Sequence, residues 1–205
     1  MSPEYQPSLL SNADLRAAEV SWAYQQVPQA ECSAAELADW QQRVHRFQRQ
    51  VQGDGPPSQG SLFDLAASAP ETPPDPVFAI DPFTLSPRNA EFWREQFDDV
   101  GNASLYFVVD HALPILLYVG ETVKANQRWK GTHDCKRYIL NYVSAHRRHD
   151  RTVAVNIGFW PHAPADRKAR QALESALIRR WRSPFNKENW RFWGTPFVGG
   201  KEPGT

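Results

Sequence analysis

The sequence predicts an α+β domain in its second half, and three observations predict it. Residues 104–110 and 115–120 are short apolar runs rich in β-branched and aromatic residues, parted by a turn holding Pro114. Residues 152–160 form a third such run. Two stretches, 134–149 and 164–181, instead space their apolar residues at the helical period. The order β-β-α-β-α suits a small three-stranded antiparallel sheet flanked by helices.

Taken from the N-terminus, residues 11–51 read as two helices. Ser11 caps the first, with Leu15, Ala18 and Trp22 on one side. The second opens on the capping-box pattern Ser33-Ala34-Ala35-Glu36. Its stripe, Leu37, Trp40, Val44, Phe47 and Val51, needs a partner. The first helix, a second copy of the chain and the C-terminal domain are all candidates, a helical hairpin being the plainest.

Residues 53–87 hold eight prolines with Gly, Ser and acidic residues between. Such a stretch buries too little apolar surface to order itself and reads as a flexible linker. One apolar island interrupts it, Gln59-Gly60-Ser61-Leu62-Phe63. In the third segment, Asp134 opens a helix that turns Tyr138, Ile139, Tyr142 and Val143 inward. The last helix carries Ala169, Leu173, Ala176, Leu177 and Trp181, and Pro184 ends it. The organisation is therefore an N-terminal helical region over 1–52, a Pro-rich linker over 53–88 and a folded domain over 89–205.

Net charge is zero over 205 residues, but the halves differ. Residues 1–100 carry 6 Lys+Arg against 15 Asp+Glu, and residues 101–205 carry 17 against 8. A basic half beside an acidic one suits a polyanion-binding module with an extension that avoids the polyanion. Cys32 and Cys135 lack ligand-spaced partners, so neither a disulfide framework nor a zinc site is expected. No signal-peptide pattern and no apolar run of about 20 residues is present, which points to a soluble protein of a reducing compartment.

Four polar residues stand out on these elements: Tyr106 in Ser104-Leu105-Tyr106, Tyr118 in Leu117-Tyr118-Val119-Gly120, Arg128 eight positions after Gly120, and Glu174. Asn186 follows Glu174 by twelve. In order, interval and β-β-α-β-α setting, this set over residues 102–190 resembles the GIY-YIG nuclease superfamily. Ser104 stands where the first glycine of the pattern would be, and Glu121 where some relatives carry lysine.

The resemblance implies a structure-specific or sequence-specific DNA endonuclease serving repair, recombination or replication, in the cytoplasm at the nucleoid, with branched or flapped DNA among its candidate substrates. It implies one divalent cation, Mg²⁺ or Mn²⁺, held by Glu174. A carboxylate on a largely apolar helix face is costly unless paired or bound to a cation, the alternative being an ion pair with Arg170 at i−4. Tyr106 or Tyr118 would orient the attacking water. A free phenol titrates near ~10, so a phenolate base needs a cation beside it. Arg128 supplies a planar fork for a phosphate oxygen. Gly120, Lys124, His133, Arg147, Arg148, Arg180, Asn186 and Lys187 are the expected substrate-binding residues. Gln59, Leu62 and Phe63 resemble the pentapeptide with which bacterial proteins dock into the sliding clamp. The rival expectation is a nucleic-acid-binding or clamp-adapter protein without catalysis.

Overall fold

A computed structural model of the chain describes residues 32–54, 75–88, 103–123 and 134–198. The first expected helix, the linker island with Gln59, Leu62 and Phe63, and the segment carrying Lys124, Arg128 and His133 lie outside the described residues.

Helix α1 (Ala34–Gly53) starts on the predicted capping box: Ser33 Oγ accepts from the Glu36 N–H, and Glu36 accepts from the Ser33 N–H. A one-turn helix, α2 (Pro76–Ala79), follows. Strands β1 (Ser104–Asp110) and β2 (Ile115–Thr122) form the hairpin. Helix α3 (Asp134–Arg148) leads to β3 (Val155–Trp160). Helix α4 (Arg167–Trp181) is capped by Asp166, which accepts from the Ala169 N–H. A 3₁₀ turn (Lys187–Asn189) and a single turn α5 (Trp190–Trp193) close the described chain. The sheet is antiparallel with order β2-β1-β3, so β1 is central and wholly buried. The α+β class and the three-stranded sheet follow the sequence prediction.

Both faces of the sheet are covered. Tyr106 and Val108 of β1, Ile115 and Leu117 of β2, and Val155 and Ile157 of β3 pack under α1, α3, Phe185, Trp193 and Phe197. Leu105, Phe107, Val109, Leu116 and Val119 pack under α4 through Leu173, Leu177, Ile178 and Trp181. The face-switching is not a plain alternation. A β-bulge between Val108 and Val109 pairs Val108 with Tyr118 and Val109 with Leu116, which leaves Leu117 as the extra residue. The bulge resets the period-2 phase of β2. Leu117 and Tyr118 thereby both serve the α1/α3 face.

The α1 stripe finds a partner in the C-terminal domain, one of the three candidates: Leu37, Trp40 and Val44 share one core with Tyr106, Tyr142 and Phe197. Trp40 meets Phe197 edge-on at 5.2 Å. The Pro-rich region is not linker throughout. Pro76 sits at the helix start, where its missing N–H costs nothing. Asp75 and Asp81 hold the turns by accepting from Val77 N–H and Phe83 N–H. This segment lays Ile80, Phe83 and Leu85 on the α4 face. Arg88 then exchanges two backbone hydrogen bonds with Ile157 on the outer edge of β3. Averaged over 35 residues, the proline content hides a short apolar run whose prolines stand where turns use them.

The edge of β2 is closed by side chains. Gln48 of α1, fully buried, accepts from Leu116 N–H and donates to the carbonyls of Leu116 and Trp181. Phe185 N–H donates to Leu117 O, and Asn186 accepts from and donates to Val119. Gln41, one helical heptad earlier on α1, donates to the Tyr142 hydroxyl, which donates to buried Asp110. Asp110 also accepts from Ala112 and Ala154 N–H, tying the hairpin to β3. Among the described residues no helix is long and apolar enough to cross a membrane.

Two predictions follow from this packing. Gln48→Ala strands three buried backbone groups and is expected to cost about 2–4 kcal/mol in chemical denaturation. Buried His146 donates its Nδ1–H to Tyr142 O, beside Asp110, Arg151 and His149. Burial lowers its pKa below 6.5, against opposing pulls from the Tyr142 carbonyl and Asp110. The unfolded chain therefore takes up the proton first. Stability contributed by neutral His146 is complete above about pH 6.5 and declines as pH falls toward the folded-state value. Denaturation free energies measured against pH should show that decline, and His146→Asn should flatten it.

Candidate active site

The site forms where β1 and β2 lie side by side on the α1/α3 face. In the hairpin register Tyr106 faces Gly120, and Tyr118 follows two pairs away, opposite Val108. The two phenol rings stack at 5.9 Å with 26° between planes, and their hydroxyls are hydrogen-bonded. Tyr106 is fully buried, with Phe159 of β3 on its other flank at 6.3 Å. Tyr118 is only partly buried, so of the two it is the one that reaches the surface. Gly120 makes the arrangement possible, because a Cβ there would overlap the Tyr106 phenol. The structure gives it a packing role.

Glu174 comes from α4, which packs along β2. It is partly exposed and near enough to act electrostatically on Tyr118. Burial, the neighbouring Tyr106, Cys135 and Glu174 together push the Tyr118 phenol far above its ordinary value. In the protein alone Tyr118 is therefore a hydroxyl donor. Only a positive charge placed against this cluster could bring it toward phenolate. Glu174 and the Tyr106–Tyr118 pair come within electrostatic reach, from segments 68 residues apart at their extremes. Cys135, at the start of α3, joins them although nothing in its sequence neighbourhood marks it.

Glu121 is neutralised rather than left facing phosphate. Arg170 Nε donates to it at 2.5 Å, and Arg170 NH1 donates to the carbonyls of Pro164 and Ala165. Arg170, the alternative partner of Glu174, thus spends these donors on Glu121 and the turn before α4. As to a metal, no group of three or more His, Cys, Asp or Glu gathers among the described residues. The donor set at this site is the single Glu174 carboxylate. That fits a hard cation of the Mg²⁺ type, which keeps most of its waters and adds a phosphate oxygen, and it does not fit a dedicated protein cage.

Several expected substrate contacts are engaged elsewhere. Both ends of the Asn186 amide are taken by Val119, and Ser183 Oγ donates to its oxygen at 2.6 Å. It braces β2. Arg180 donates to Val51 O and Asp54 O and lies 4.2 Å over the Phe78 ring, so it seals the C-terminal end of α1. Arg147 and Arg148 are exposed in the last turn of α3. Cys135 near the start of that helix adjoins Tyr118, and the intervening turns put the two arginines about 18 Å further on. They suit the negative end of the helix dipole there. Lys187 is exposed, 5.9 Å over Trp190, just past Asn186.

Gly120→Ala is expected to displace Tyr106 and cost about 1–3 kcal/mol, as overpacking does. Gly53→Ala, where no atom lies within 4 Å of the added methyl, is the matched control and should be neutral or mildly stabilising. Thermal unfolding together with near-ultraviolet circular dichroism of the tyrosines distinguishes the two. Comparison with known proteins yields no counterpart, since no family model, no curated protein and no solved structure matches the chain.

Proposed function

We propose that the chain is a divalent-metal-dependent DNA endonuclease of the GIY-YIG type, acting on branched or flapped DNA in repair, recombination or replication. The observation that carries the reading is the meeting of Tyr106, Tyr118 and Glu174. A stacked phenol pair has a carboxylate from a distant helix within electrostatic reach. Burying such a set costs stability, and ordinary packing gains nothing from it. The basic balance of residues 101–205 supports a polyanionic substrate.

In this reading each residue has a distinct task. Tyr118, at the surface, donates its hydroxyl to the attacking water or to a phosphate oxygen. Tyr106, buried beneath it, fixes that hydroxyl through their mutual hydrogen bond. Glu174 holds Mg²⁺ or Mn²⁺, which when bound supplies charge stabilisation at the phosphorane and the leaving 3′ oxygen. Arg128 serves as the phosphate fork of the same proposal, with Lys124 and His133 in its segment. Gln59, Leu62 and Phe63 would tether the enzyme to a sliding clamp and raise its local concentration. The rival reading is a nucleic-acid-binding or clamp-adapter protein that retains the fold.

Incubating nicked, flapped and four-way DNA with Mg²⁺ or Mn²⁺ tests this. Cleavage is expected, with Glu174→Ala and Tyr118→Phe each falling about 10²-fold or more. Tyr106→Phe should fall less, about tenfold, because it only removes the support of a hydrogen bond. No cutting of any substrate, or full cutting by Glu174→Ala, sinks the enzyme. Binding without cutting selects the adapter.

A further inference from the structure

Phe192 is 53% exposed; Val123 is the one other large exposed hydrophobic among the described residues. Its exposure is not that of a loose tail. Within the same segment Trp193 and Phe197 are buried in the core, and Trp190 stands edge-on to Tyr138 at 5.5 Å. The segment is also pinned to β2 by Phe185 and Asn186. The Phe192 ring is held on several sides: edge-on to Trp193 at 4.8 Å, against Phe47 of α1 at 6.0 Å, and with the Arg182 guanidinium 5.1 Å from its centroid. Leaving so well fixed an aromatic surface in water forfeits burial that the neighbouring rings obtain.

We propose that this face binds an unpaired nucleic-acid strand, with one base stacking on Phe192 and its phosphates met by Arg191. Arg191 and Lys187 are exposed, and Glu188 is the single acid between residues 183 and 198. A fixed ring with a cation behind it is the arrangement that gives base stacking its sequence tolerance. A duplex hides its base faces, so the ring selects a single strand. The strip begins at Asn186, beside Val119 and the Tyr118 strand, so an unpaired arm lying on it leads toward the phenol pair. The inference rests on the nuclease reading only for taking nucleic acid as the partner. It identifies the arm of the substrate that this face would hold.

Binding of the full chain to a labelled single-stranded oligodeoxynucleotide and to the matching duplex, both in EDTA, tests it without requiring cleavage. Phe192→Ala and Phe192→Leu should each weaken single-strand binding about tenfold and leave the duplex unchanged. Leu keeps the apolar cover over Phe47 but has no flat face, while Phe192→Trp should bind as well as the parent. Arg191→Ala should weaken both ligands and reduce the salt dependence. Parent-like single-strand binding by Phe192→Ala and Phe192→Leu overturns the proposal. So does an equal loss on the duplex, or a change confined to self-association or thermal stability, which would assign the ring to protein contact. A selective single-strand loss in a protein that cuts nothing leaves this inference standing while the nuclease falls.

Discussion

The structure depends on how one buried amide meets one irregular strand. β2 is an edge strand with a bulge, and a bulge leaves backbone groups without a ladder partner. Gln48 satisfies both polar groups of Leu116 at that point and reaches on to Trp181 O at the end of α4. A single side chain of α1 thus joins the sheet edge to the helix on the opposite face. Asn186 does the same for Val119, two residues past the extra Leu117. Without these amides β2 would present a row of open donors and acceptors to water or to another chain.

The bulge has a consequence for the site. In plain alternation from Ile115 and Leu117, Tyr118 would point to the α4 face, away from Tyr106. The extra residue turns it back, and the phenols stack. Gly120, in register with Tyr106, provides the space. The backbone irregularity that Gln48 completes is therefore the same one that assembles the phenol pair. The α1 helix, far off in sequence, shares the core in which Tyr106 is buried.

Charge is handled in a corresponding way. Arg170 neutralises Glu121, and Arg180 seals α1, so two of the cations nearest the sheet are consumed by the fold. What is left at Tyr118 is a cluster whose members all oppose ionisation of the phenol. Such a cluster has a use for positive charge. In the described C-terminal segment Arg182 stands instead over Phe192, and Lys187 over Trp190.

Much of this was legible in the chain itself. The strands of residues 104–110 and 115–120, the capping box at Ser33, the α4 stripe and the ordered set of Tyr106, Tyr118 and Glu174 are local patterns. Local patterns are written in spacing and propensity, and spacing determined the α+β class, while the candidate chemistry is what the resemblance implies. A polar residue on an apolar stripe was a readable signal too: Gln41 and Gln48 continue the spacing of Leu37 and Val44, a heptad apart. Only tertiary structure decided what those glutamines bond, because their partners lie 68 to 133 residues away. It likewise decided the bulge, the packing of residues 75–88 on the sheet, the fates of Asn186 and Arg180, and the isolation of Phe192 among buried rings. Each is a choice among distant partners competing for the same donor, acceptor or apolar face. Only the assembled core resolves that competition, since no residue's immediate neighbours carry the answer.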